Sequence, residues 1–129
     1  MQEQRITFQT AKLAKEKGFN LECDFSYIEN GRLIQNSQPL ANPFLREKCF
    51  TAPTQHYLKL WLSKNYELDV EVVIYVRPYY CVTLINKQNE ILPVFNPVPF
   101  LSGRENAAAF ETYEEAFELG LKTALNMLT

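Results

Sequence analysis

Over residues 112–128 the apolar side chains recur at the spacing of a single helix face. Tyr113, Ala116, Phe117, Gly120, Leu121, Ala124, Leu125 and Leu128 follow the alternating three- and four-residue steps of a 3.6-residue period. Thr112 stands just before them and Glu115 three residues later, the pair that makes a capping box. Glu114 and Glu115 also put negative charge at the positive end of the helix dipole. A stripe this continuous must be buried, so the chain has to supply a second apolar layer for it to lie on. Gly120 falls within the stripe. Its missing Cβ permits close approach to that layer, at about 1 kcal/mol of helix propensity.

Residues 69–85 carry the pattern of such a layer. Val70, Val72, Ile74 and Val76 alternate with Glu71, Val73, Tyr75 and Arg77. After Pro78, Tyr80, Val82 and Leu84 alternate with Tyr79, Cys81, Thr83 and Ile85. A period of two in β-branched and aromatic residues predicts two strands, with the purely apolar sets facing the helices. A polar turn at 86–89 leads to a weaker third strand over 90–95, which Pro97 and Pro99 bring to an end.

The first half is more broken. Residues 7–17 read as a short helix closed by Gly18. Asn30-Gly31 is the preferred pair of a two-residue type I′ turn, which would oppose Glu29 with Arg32, Ile28 with Leu33 and Tyr27 with Ile34 in strands near 22–29 and 32–36. Residues 37–52, with Pro39 and Pro43, show no sustained period and read as a crossing loop, held to the body by Leu40, Phe44, Leu45 and Phe50. A second helix is expected to start at 51–53 and end near Asn65, burying Tyr57, Leu58, Trp61 and Leu62.

At 129 residues the chain is the size of one domain, and we read 1–129 as a single α+β domain. Its antiparallel sheet of three or more strands packs against helices, and the C-terminal part is ordered α-β-β-(β)-α. The first helix and the hairpin complete or cover that sheet.

Composition narrows the function classes. No apolar run approaches the roughly 20 residues that span a bilayer, and the polar start Met1–Arg5 precedes no signal-peptide core, so a cytoplasmic protein without membrane contact is expected. Cys23, Cys49 and Cys81 are odd in number and contain no CxxC pair. Reduced thiols are expected rather than a disulfide framework or a zinc site built with His56, the only histidine. With four scattered glycines there is no phosphate-binding loop. Glu114 and Glu115 point about 100° apart on their helix and cap it rather than share a proton. No catalytic residue, metal ligand or cofactor is assigned.

Charge is unevenly distributed. Residues 1–64 hold nine Lys and Arg against six Asp and Glu, whereas residues 65–129 hold four against nine. Glu111, Glu114, Glu115 and Glu118 form a candidate acidic surface. A second candidate surface lies on the other side of the strand pair. Val73, Tyr75, Arg77 and Tyr79 are too apolar for an open face and too polar for a core, a mixture typical of interfaces. It is expected to meet a protein partner or a second copy of the chain, unless the first helix and hairpin cover it.

Three segments, Ala11–Asn20, Ala52–Leu62 and Thr112–Leu121, recur together in this order. They resemble a group of small proteins encoded by phages and prophage-like elements of gut Bacteroides relatives. That group has no known activity, so the resemblance implies a mobile-element context and an accessory role, without site residues. The order helix, strand, strand, strand, helix after residue 50 is similar to the double-stranded-RNA-binding domain. That family meets phosphates with lysines at the start of its last helix, where this chain has Glu114 and Glu115, so nucleic acid is not the expected partner. A nucleic-acid binder would have to use Lys12, Lys15, Lys17, Arg46, Lys48, Lys59 and Lys64. An enzyme would centre on His56 with Tyr57 or Cys49.

Overall fold

Local capping chemistry sets where the helices begin and end. In the computed structural model, which describes residues 4–76, 79–93 and 112–128 (backbone alone at 74–76, 79 and 93), α1 spans Phe8–Glu16. The Thr7 hydroxyl caps it by accepting from the Thr10 amide at 3.3 Å. At the other end Gly18 takes φ +94. The Phe19 amide then donates to Ala14 O at 2.9 Å and the Gly18 amide to Lys15 O at 3.1 Å, a Schellman turn that delivers Phe19 to the interior.

Helix α2 is Gln55–Tyr66, starting later than proline placement predicts. Thr54 is the cap, its hydroxyl accepting from the Tyr57 amide at 3.2 Å, and Pro53 precedes it with its carbonyl bonded to the Ile6 amide. Leu58, Trp61 and Leu62 are buried as expected, whereas Tyr57 is partly exposed. The helix ends on Glu67 at φ +50, an αL residue whose amide donates to Ser63 O, and the turn sends Leu68 into the core. Helix α3, Tyr113–Asn126, has the expected cap, with the Glu115 amide 3.1 Å from the Thr112 hydroxyl. Ala116, Phe117, Leu121, Ala124 and Leu125 are buried along its stripe.

The strands form two antiparallel three-stranded sheets rather than one. In the first, β1 (Cys23–Tyr27) lies between β2 (Leu33–Leu40) and β3 (Phe50–Thr51). The second has the order β4 (Asp69–Val76), β5 (Tyr79–Ile85), β6 (Ile91–Pro93). The class is α+β and the C-terminal order α-β-β-β-α, but the hairpin builds its own sheet instead of extending the other. The chain divides into two compact units, one running to Leu58 and taking in the residues from Leu125, the other Lys59–Ala124; both boundaries fall inside helices.

In the first unit Phe8 packs edge-on against Tyr27 and Phe50, with ring centroids 5.6 and 5.8 Å apart. The hairpin corrects the expected register. Ile28 and Arg32 flank a three-residue loop in which the Gly31 amide donates to Ile28 O, and Gly31 alone takes positive φ. This is a type I turn followed by a glycine bulge, and it pairs Tyr27 with Leu33 and Ser26 with Ile34, one residue off the two-residue register. Glu29 therefore pairs with Lys48, at 3.1 Å, instead of Arg32. The ladder is interrupted between Cys23 and Phe25, and Asn36 Nδ2 donates to Cys23 O at 2.9 Å across the gap. Pro39 is tolerated because β2 is an edge strand.

In the second unit the apolar sides of β4 and β5 lie inward, with Val70, Val82 and Leu84 buried. A Cβ at Gly120 would stand 2.5 Å from Val82 Cγ2 and 2.7 Å from Val70 Cγ1, so α3 rests its glycine directly on this sheet. Tyr113 stacks edge-on with Tyr80 and Phe117 at the helix start.

Candidate interaction surfaces

Alternation along β5 and its pairings places Glu71, Val73, Cys81, Thr83, Ile85 and Ile91 on the face of the second sheet opposite the buried valines. Val73 is 50% exposed and Ile91 67%, while Cys81, Thr83 and Ile85 are half-buried. Of the four residues expected here, Val73 is thus in place. Tyr75 and Tyr79 belong to β4 and β5, with side chains outside the described set, and Arg77 lies outside the described residues. Ile91 was missed because a three-residue strand has too few positions to show its alternation. At the β4 edge Glu71 pairs with Lys59 at 3.6 Å.

Of the acidic set, Glu111 lies outside the described residues. Glu115 is exposed and Glu114 and Glu118 are half-buried on α3. Burial raises the Tyr113 phenol, with further contributions from the negative charges of Glu71 and Glu114.

The seven cations of a nucleic-acid footprint are largely engaged within the protein. Lys15 Nζ donates to three carbonyls of one loop, Cys49 O at 2.7 Å, Arg46 O at 2.9 Å and Glu47 O at 3.3 Å. Lys17 Nζ donates to Leu128 O at 2.8 Å. Lys48 and Lys59 face Glu29 and Glu71. Lys12 lies over the Phe8 ring, 5.3 Å from its centroid. Phosphate binding would have to displace most of these contacts.

The groups proposed for an enzyme lie on α2 and in the loop before β3. His56 is exposed on the first turn of α2, and Cys49 is half-buried in the loop before β3. Burial pushes the Cys23 thiol from the ordinary 9.0 to about 11, opposed by the Thr51 hydroxyl and the charge of Arg5 and reinforced by Asp24. Burial also raises the Cys81 thiol, and it raises the Tyr57 phenol together with Cys23 and Glu22. Each shift favours the protonated, unreactive form. No three His, Cys, Asp or Glu side chains group as a metal site among the described residues, and no described helix is long and apolar enough to cross a membrane.

The loop between β2 and β3 departs most from expectation. Phe44, expected to pin it, is 79% exposed. The pin is Asn42, which is buried. Its Nδ2 donates to Phe19 O and its Oδ1 accepts from the Thr51 amide, both at 2.9 Å. Compared with known protein families, with curated proteins and with solved structures, the chain matches none.

Proposed function

We propose that this protein is a small interaction module that acts by binding a protein partner on the outer face of its second sheet. The observation that carries this reading is that Val73 on β4 and Ile91 on β6, half to two-thirds exposed, share one sheet face with their half-buried β5 partners Cys81 and Ile85. Isolated apolar side chains are ordinary at a surface, but a β-face that shares them across three strands gains from being covered. The resemblance to phage- and prophage-encoded proteins supports an accessory role for a mobile element. The engaged lysines weigh against a nucleic-acid module, and burial, which raises the Cys23 and Cys81 thiols and the Tyr57 phenol, weighs against a nucleophile at those three positions.

The experiment replaces Val73 and Ile91 together by Glu in the full chain. Both side chains are exposed, so circular dichroism and melting should stay close to those of the parent. The double variant should lose either the mass of a self-associated species in light scattering or a protein that co-purifies from source cells. A folded variant that keeps both the parental mass and the parental set of co-purifying proteins overturns the proposal.

A further inference from the structure

The loop joining β2 to β3 is built to hold one aromatic ring in solvent. Phe44 is the most exposed of the large hydrophobic side chains among the described residues, at 79%. It closes a single 3-10 turn, Asn42–Phe44, and both flanks of that turn are fixed. Before it, Asn42 is buried and bridges the Phe19 carbonyl and the Thr51 amide. Pro43 holds its own φ, removing one degree of freedom. After it, the Lys15 ammonium gathers the carbonyls of Arg46, Glu47 and Cys49, and the Cys49 amide closes a turn on Arg46 O at 3.0 Å. A loop held on one side by the buried Asn42 amide and on the other by the Lys15 ammonium, with its largest apolar side chain turned away from the core, has the construction of a preorganised anchor. Little ordering entropy is left to lose on binding.

The charges beside the ring describe what it fits. Leu45 has extended backbone, φ −97 and ψ 159, and is half-buried, which turns Phe44 and Arg46 to the side opposite its own. Lys48 pairs with Glu29, and Glu47 occupies the corner of the following turn. Arg46 has no partner for its guanidinium among the described residues, while its carbonyl is held by Lys15. An aromatic ring and an arginine side by side are the residue types that dominate binding energy at protein interfaces. We infer that Phe44 and Arg46 dock this protein onto a folded protein partner that offers an apolar cavity for the ring and a carboxylate at its rim for the guanidinium. This site belongs to the first unit and does not depend on the outer face of the second sheet.

The test uses the purified full chain with benzoylphenylalanine at position 44, irradiated in extract of its source cells, with the same photoprobe at Leu60 as an exposed control. The expected result is a discrete protein adduct specific to position 44. Mass spectrometry should map it to apolar residues next to an Asp or Glu, and Arg46→Glu in the probe-bearing chain should lower its yield by about tenfold or more. In the chain without the probe, Phe44→Ala should melt with the parent and no longer compete for the adduct. No adduct, an equal adduct at Leu60, or a yield indifferent to Arg46→Glu overturns the inference. Flotation of the chain with phosphatidylcholine–phosphatidylserine vesicles that depends on Phe44 also overturns it, in favour of a lipid surface. A Val73→Glu, Ile91→Glu variant that keeps the parental mass and co-purifying proteins, with this adduct intact, refutes the sheet-face proposal alone.

Discussion

Replacing Gly120 by Ala should destabilise the protein, although the same change in an open helix would stabilise it. Helix propensity favours Ala by about 1 kcal/mol. Against this, the new Cβ would stand 2.5 Å from Val82 Cγ2 and 2.7 Å from Val70 Cγ1. Carbon atoms rest comfortably at about 3.5–4.0 Å, so both contacts must open by roughly 1 Å. Neither valine can yield cheaply, since each is 1% exposed and χ1-restricted by its branched Cβ. Overpacking of this kind costs about 1–3 kcal/mol, and two simultaneous clashes belong in the upper part of that range. The net expectation is a loss of about 1–2 kcal/mol, read as a lower urea midpoint with an unchanged slope. Adding Val82→Ala should recover part of it, a favourable coupling in the double-mutant cycle. A Gly120→Ala protein as stable as its parent, or more stable, refutes the packing of α3 on this sheet.

Asn42→Ala should cost about 2–4 kcal/mol, because it removes a buried hydrogen bond to the Phe19 carbonyl and takes the acceptor from the Thr51 amide; chemical denaturation measures it. Glu67→Gly should raise stability by about 0.5–1 kcal/mol in thermal melts, since the glutamate holds φ +50 without a glycine's freedom. Cys23 titrates higher in the fold, at about 11, than the ordinary 9.0, so its stabilising contribution is complete below about pH 9 and is lost as pH rises through about 11. Denaturation midpoints across that window should fall in the parent and fall less in Cys23→Ala.

The C-terminal half was legible because its signals are local and agree with one another. The Thr112 cap, the stripe from Ala116 to Leu125 and the alternation of Val70, Val82 and Leu84 each demand the same packing, and Gly120 lies where they meet. The first half was less legible for physical reasons. Asn30-Gly31 is compatible with two hairpin geometries, and only the pairing of Tyr27 with Leu33 rather than Ile34 separates them. Asn42 reads as a loop residue, and nothing in its neighbours announces that its amide will be buried between Phe19 and Thr51. How the basic residues of the first half are used is invisible to a charge count, which ignores carbonyls. Lys15 and Lys17 satisfy backbone oxygens, a use that becomes visible only once the loop and the C-terminal residues are in place. On the second sheet, Val73 could be read from alternation, but Ile91 emerged only when β6 paired with β5.

The most direct test of a partner-covered sheet face is hydroxyl-radical footprinting of Val73 and Ile91 in source cells and in dilute purified protein, with Leu60, 63% exposed, as the internal reference. Both residues should oxidise readily in the purified chain and be protected relative to Leu60 in the cell. Equal oxidation of Val73 and Ile91 in the two settings, scaled to Leu60, would contradict the proposal that this face binds a protein.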